Sequence, residues 1–212
     1  MKSTSGLLVD DLWQLYQLLS RRGPEAEVVR DLAIVAFWGM ARLAEVTYLT
    51  KYGVIPYKTK IAVDDVHHYA EAMVLILHEA KTAKPGKTQS LKLRPRIGPL
   101  CPVKAIERRL ATTSAPSDSL FGFGERPHRI NLTKRRTNKI LRAAWRELGC
   151  PELSGHLFRV GGASIRSAIG VGVEDIKRLG RWTSECYQLY VKPLPPEEIA
   201  RSVAVLQNPN PA

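Results

Sequence analysis

The chain has 212 residues, 44% hydrophobic and 25% charged, and its 32 Lys and Arg against 20 Asp and Glu leave a formal net charge of +12. That is globular composition rather than disorder, and a chain of this length buries a core without disulfides or metals. The longest apolar stretch, Leu32 to Ala41, is about half of the ~20 residues that span a bilayer, and Asp10 and Asp11 stand where a signal peptide continues its apolar run, which argues against a membrane or secreted protein. The three cysteines, Cys101, Cys150 and Cys186, are odd in number and form no Cys-x-x-Cys pair, as expected of reduced thiols in an intracellular protein. The excess of positive charge points to a polyanionic partner, nucleic acid first.

In chain order, Leu8, Leu12, Leu15 and Leu19 recur at helical spacing, and Gly23-Pro24 ends that run. A second amphipathic helix is predicted from about Val28 to Ala44. Short, partly β-branched runs at Lys60–Val63, Ala72–Leu77 and Ser90–Leu93 predict three antiparallel strands, with residues 81–87 as the loop of the last hairpin. Pro102 suits the first turn of a helix through Leu110. A Ser/Thr/Pro/Gly-rich connection follows at 111–124, and Asn131 is the expected cap of a helix ending at Gly149. Helices are predicted at Ser154–Ile169, Val173–Leu179 and Thr183–Tyr190, with a last one at Glu197–Leu206 after Pro193, Pro195 and Pro196. No repeat or composition shift marks a second domain. The expected architecture is α+β, mostly helical with a small three-stranded antiparallel sheet. It forms a single domain over 1–212, with a core at about 7–192 and a tail helix at about 197–206.

Several segments place chemically capable residues at suggestive spacings. Arg42 is expected at the end of the second helix, with Glu45 three residues on and able to hold its guanidinium; such a pair is either structural or an anion ligand. His156 and Arg159 form an i, i+3 pair, and Gly161-Gly162 in the same helix suggests close backbone packing. Gly180-Arg181-Trp182 precedes Tyr187 and Tyr190, residues that elsewhere most often belong to a core. Asp64-Asp65 beside His67-His68 lacks metal-ligand spacing, and no metal or other cofactor is expected.

Taken in order, these elements resemble the tyrosine recombinase (phage integrase) family. The resemblance runs from about Leu12 to Lys192. Ala80-Lys81-Thr82 and the run from Gly180-Arg181-Trp182-Thr183-Ser184 to Tyr190-Val191 look most like the branch carried by Crypton and DIRS-type mobile elements. The resemblance implies Arg42, Lys81, His156, Arg159, Trp182 and Tyr190 as catalytic residues and Glu45 as the support of Arg42, with Tyr187 the alternative nucleophile. It implies double-stranded DNA as partner, a tetrameric synaptic complex of protomers on DNA, a nuclear location and no membrane association. Lys84, Lys87, Lys92 and Arg94 after the hairpin, with Arg96, and Lys134, Arg135 and Arg136 at a helix start, would then contact DNA, giving affinity and salt dependence rather than base readout. The separate N-terminal core-binding domain of the family is not expected within these residues. The tail helix is a candidate for packing on a neighbouring subunit.

The residue types suit the implied reaction. Two guanidiniums grip the non-bridging oxygens of a phosphodiester and keep their charge at neutral pH. An indole N–H donates but cannot act as a base, which gives Trp182 a positioning role. His156 donates to the phosphate or takes the tyrosine proton. Lys81 protonates the leaving 5′ oxygen, and Tyr190, with an ordinary pKa near ~10, needs the cationic surround to attack as phenolate. The product is a 3′-phosphotyrosine with a free 5′ hydroxyl, religated without ATP or metal. A DNA-binding protein of the same fold that has lost turnover, and a type IB topoisomerase, are the competing readings.

Overall fold

The computed structural model describes residues 6–56, 58–78 and 87–208. Seven α-helices occur among them: α1 (Val9–Leu19), α2 (Pro24–Trp38), α3 (Pro102–Leu110), α4 (Lys134–Glu147), α5 (Leu157–Ala168), α6 (Val173–Gly180) and α7 (Pro196–Gln207). The strands are β1 (Val66–Tyr69), β2 (Ala72–Leu77) and β3 (Gln89–Leu93), with a short ribbon of β4 (Gly122–Phe123) and β5 (Ile130–Asn131). The mostly helical α+β architecture and the three-stranded antiparallel sheet agree with the reading of the sequence. None of the described helices is long and apolar enough to cross a membrane.

Helix α2 is the axis of the core. It is buried on every side from Val28 to Trp38, as a helix that is apolar nearly all round must be, and it contacts α1, α3, α4 and α5. Its one buried acid, Asp31, is fully enclosed, and Arg30 Nε (3.0 Å), Arg108 Nη2 (2.6 Å) and Arg109 Nε (2.8 Å) surround it. Burying a charge is tolerable only with such pairing, and this group ties α2 to α3. In the sheet, β2 is central and pairs Val66 with Leu75 on one side and Leu91 with Leu75 on the other. The alternation of a half-buried sheet puts Met73, Leu75, Leu77, Leu91 and Leu93 inside.

Four local expectations are corrected. Helix α2 stops at Trp38 rather than near Ala44, and Leu43–Glu45 form a separate 3₁₀ turn. The first strand lies at Val66–Tyr69 rather than Lys60–Val63, because Val63–Asp65 coil into a 3₁₀ turn in which the Asp65 carboxylate accepts the Ala62 N–H (2.9 Å). Thr133, not Asn131, caps α4, accepting the Arg136 N–H at 3.3 Å; Asn131 belongs to β5 and donates through Nδ2 to the Gly53 carbonyl (3.1 Å). Thr183–Tyr190 is not an α-helix: Glu185–Leu189 form a 3₁₀ turn that ends on Tyr190. Helix α7 lies against α1 and α5 of its own chain, with Glu198 and Ser202 buried.

The glycine pair in α5 does what its cost implied. A Cβ on Gly162 would sit 2.1 Å from the Phe37 carbonyl oxygen, and one on Gly161 2.0 Å from that of Leu7. Gly162 thus lets α5 press backbone to backbone on the end of α2, and Gly161 on the segment that leads into α1. Gly162→Ala is therefore expected to destabilise the fold by roughly 1–3 kcal/mol through overpacking. Gly172→Ala, where a Cβ meets nothing within 4 Å, should change stability by less than about 0.5 kcal/mol. Urea denaturation of both variants checks the difference.

Candidate active site

The site is built on the C-terminal end of α2. The Ala41 N–H returns to Ala36 O (2.9 Å) and the Met40 N–H to Phe37 O (3.2 Å), with Met40 in the left-handed region at φ 46°. This is a Schellman closure with methionine where glycine is usual. The carbonyls that point out of the helix end are then taken by three arginines from elsewhere in the chain. Arg166 Nη2 donates to Trp38 O, Arg181 Nη1 to Gly39 O (3.1 Å) and Arg159 Nη1 to Met40 O. Cations there also answer the negative end of the helix dipole.

Past this turn, Arg42 is extended (φ −79°, ψ 144°) and heads the Leu43–Glu45 turn. The expected Arg42–Glu45 pair is present, though off the helix: Arg42 donates Nη1 to Glu45 Oε1 (3.0 Å) and its backbone N–H to Oε2 (2.9 Å). The same carboxylate accepts Arg181 Nη2 at 2.8 Å. Glu45 is thus a buried bridge between two guanidiniums. The Arg42 side chain is 25% exposed, while those of Arg181 and Glu45 are 8% and 2% exposed, so Arg42 is the cation of this group that solvent reaches.

Sequence reasoning passed over Arg181. It lies 136 residues from Glu45 in the chain, and no spacing rule connects the two. Its only local signal is the run Gly180-Arg181-Trp182. Arg181 caps α6 in the left-handed conformation (φ 59°, ψ 40°), which turns its side chain back toward α2.

Arg159 lies behind this group at 1% exposure. Its Nη2 donates to Gly180 O (2.6 Å), and its Cζ sits 4.3 Å from the Trp182 ring centroid and 5.2 Å from that of Tyr190. Burial first, then repulsion from Arg181 and Arg42, push Arg159 down to about 10, so it stays charged at neutral pH. Gly180 is small because the Trp182 ring covers it: a Cβ would fall 1.9 Å from a ring carbon. The Tyr190 ring completes the cluster, 5.1 Å from Trp182 and 5.5 Å from His156 between centroids. Ser164 Oγ, on α5, holds the segment in place by donating to Tyr190 O (3.3 Å) and accepting from Lys192 N–H (2.9 Å).

His156 is the N-cap residue of α5. Burial, then Arg159 and Arg42, lower its pKa below the ordinary 6.5, so the imidazole is neutral and able to accept a proton at neutral pH. Among the described residues, Arg159 Nε, Arg181 Nε and Trp182 Nε1 are buried donors without a hydrogen-bond partner. Buried orphan donors are uncommon, and three in one cluster of guanidiniums fit an anion.

Arg42, Glu45, His156, Arg159, Trp182 and Tyr190 are therefore brought together, and Arg181 joins them. Tyr187 packs at the edge of the group, with Lys177 Nζ 5.8 Å from its ring centroid. Lys81 and Lys84 lie outside the described residues. Lys87, Lys92, Arg94, Lys134 and Arg135 are exposed, whereas Arg136 is engaged with Glu25 through Nε (2.7 Å) and Nη2 (2.5 Å).

No protein-family model matches the chain, and no curated protein sequence matches it. Among solved structures, it is similar to the XerH site-specific recombinase bound to its difH substrate, with a TM-score of 0.61 and 13% identity over 89% of this chain and 50% of that one. The FLP recombinase in a Holliday-junction complex gives a TM-score of 0.56 at 13% identity, over 88% of this chain and 48% of that one. The Tn1549 transposon integrase, in complex with circular-intermediate DNA, gives 0.58 at 9% identity, over 96% of this chain and 66% of that one. The fold is that of the tyrosine-recombinase catalytic domain. The chain spans about half the length of the XerH and FLP chains.

The electrostatics of the cluster give a direct check. The His156 ring is expected to titrate below 6.5 by NMR, and Arg42→Gln to raise that midpoint by removing one of the charges that lower it. Because the folded value lies below the unfolded one, His156 favours folding above pH ~6.5 and works against it as the pH falls below that. A midpoint unmoved by Arg42→Gln would separate His156 from the guanidinium group.

Proposed function

We propose that the chain is a DNA strand-breaking and rejoining domain that works as a tyrosine recombinase, with Tyr190 as nucleophile. The observation that carries this reading is the meeting of three guanidiniums, Arg42, Arg159 and Arg181, around the single carboxylate Glu45, beside a tyrosine that also touches His156 and Trp182. The group keeps an excess of fixed positive charge next to a phenol. That is the environment a phosphodiester needs as its non-bridging oxygens gain charge, and preorganised donors of this kind are each worth roughly 10²–10³ in rate.

In this mechanism Arg42 meets the scissile phosphate from the solvent side, and the unpartnered donors of the cluster supply further hydrogen bonds. Glu45 takes no part in the chemistry; it fixes Arg42 and Arg181 relative to each other. Neutral His156 takes the Tyr190 proton. The phenolate oxygen forms a bond to phosphorus as the bond to the 5′ oxygen breaks, and the leaving oxygen takes a proton from Lys81. The 3′-phosphotyrosine keeps the energy of the broken bond. A 5′ hydroxyl reverses the step without ATP.

The finer expectations belong to the same proposal. The sequence around Trp182 and Tyr190 supports a mobile-element enzyme of the Crypton or DIRS type, acting in integration or excision in the nucleus. Exchange between two DNA sites requires four protomers in a synaptic complex.

The test is covalent trapping on nicked suicide duplexes carrying candidate element ends, resolved on a denaturing gel. The wild-type chain and Tyr187→Phe are expected to give a shifted protein–DNA band, and Tyr190→Phe none. Loss in Tyr187→Phe alone would transfer the nucleophile to that residue. Plasmid relaxation without exchange would favour a topoisomerase, and DNA binding with no adduct on any duplex a protein that only binds. Arg42→Gln is the informative arginine change, expected to lower the adduct yield at least ~10²-fold. Arg159→Ala would also strip the Met40 and Gly180 carbonyls of their donor.

A further inference from the structure

The backbone that carries Tyr190 runs over the surface of the domain. From Thr183 to Glu197 no residue is buried. The 3₁₀ turn at Glu185–Leu189 is closed by local bonds, from the Tyr190 N–H to Tyr187 O (2.8 Å) and from the Val191 N–H to the same oxygen (3.1 Å). Lys177 Nζ ties the first part of the segment to α6 through Glu185 Oε1 (2.9 Å), an exposed pair that water and salt weaken. The Tyr190 end is tied to α5 by a different kind of group, a buried hydroxyl.

Ser164 is buried in the middle of α5. A serine in a helix interior commonly turns its hydroxyl back on the carbonyl four residues earlier, and alanine is the better helix former there. Ser164 reaches across to the neighbouring segment instead. Its Oγ donates to Tyr190 O (3.3 Å) and accepts the Lys192 N–H (2.9 Å). One oxygen thus uses both its donor and its acceptor capacity and grips the chain on either side of Val191, which itself packs with Ala163 and Trp182. The same helix has His156 as its N-cap and carries Arg159 in its first turn, and Ser164 follows Arg159 by about 7.5 Å along the axis. The hydroxyl therefore references the Tyr190 backbone to the element that also places the neighbours of its ring. That ring lies 5.5 Å from His156 between centroids, and its centroid is 5.2 Å from Arg159 Cζ.

We propose that Ser164 is a positioning residue for the nucleophile, setting the distance and direction from which the Tyr190 phenol approaches the phosphodiester. This role rests on the proposed function. The serine touches neither the phosphate nor the phenol oxygen; it acts through the two backbone groups that it holds. A displacement of about 1 Å in a reacting group costs on the order of 10²-fold in rate, so a clasp on the backbone of the nucleophile bears directly on the chemical step. Removing the oxygen leaves Arg42, Glu45 and Arg181 bonded as they are. Tyr190 is half-buried and Lys192 exposed, so water takes the place of the hydroxyl on their backbone groups. The fold keeps its core while the tyrosine loses its register.

The experiment is single-turnover adduct formation at saturating nicked suicide duplex, comparing the wild-type chain with Ser164→Ala. Duplex affinity by fluorescence anisotropy, urea denaturation and the NMR cross-relaxation between the His156 and Tyr190 rings are measured on the same two chains. Ser164→Ala is expected to lower the rate constant roughly 10–10²-fold, to leave the duplex Kd within about twofold, and to weaken the ring-to-ring cross-peak. Ser164→Cys, which keeps a weaker donor and acceptor, is expected to fall between the two. A Ser164→Ala rate within about twofold of the wild type would overturn the proposal. So would a loss of rate with the cross-peak intact, or one no larger than the folded fraction lost in urea, since the hydroxyl would then serve the fold and not the tyrosine. If the wild-type chain formed no adduct on any duplex, the proposed function would be overturned and the role of Ser164 with it; adduct formed equally well by both chains overturns the role of the serine alone.

Discussion

The C-terminal end of α2 is the constraint on which the rest of the site depends. A helix leaves its last carbonyls unsatisfied, and here Trp38, Gly39 and Met40 come to rest in the interior, where water cannot serve them. Arg166, Arg181 and Arg159 supply the donors. Two come from α5 and one from the end of α6, so the helix end acts as the node where two later segments are fastened. Gly162 permits the approach by leaving room for the Phe37 carbonyl.

That solution to a backbone problem also concentrates charge. Three guanidiniums recruited to carbonyls stand close to one another, and among the described residues Glu45, bonded to Arg181, is the only carboxylate that meets any of them. The imbalance is unfavourable for an empty protein and useful for one that holds an anion. The lowered pKa values of Arg159, Arg181 and His156 have the same origin, burial together with neighbouring positive charge. Stability and chemistry are thus coupled in the same side chains. Arg42 stands apart as the most exposed of the arginines around Glu45 and the one with no backbone carbonyl among its hydrogen-bond partners.

The fold was legible in the sequence where periodicity was strong. Helices α1, α3, α6 and α7 and strand β3 lie within a residue or two of their expected bounds, and β2 coincides with its own. It was misread where a side chain or a cap decided the matter. The apolar run after Trp38 looks like more helix, but Met40 turns left-handed and Arg42 is extended. Asn131 has the chemistry of a cap and is used instead to hold the Gly53 loop, leaving Thr133 to start α4.

The sequence by itself determined the residue types and the helical or strand periods, because these follow from local propensity and the alternation of polar and apolar side chains. The pairing of Arg42 with Glu45 was also local, three residues apart. Only the tertiary structure decided that Arg181 shares that carboxylate, that the Tyr190 ring meets His156 and Trp182 while Tyr187 meets Lys177, and that Arg166 and Arg96 converge on Trp38. Those contacts join segments separated by up to 136 residues. They are fixed by where α5 and α6 must pack to satisfy the end of a buried helix, a condition that no window of sequence contains.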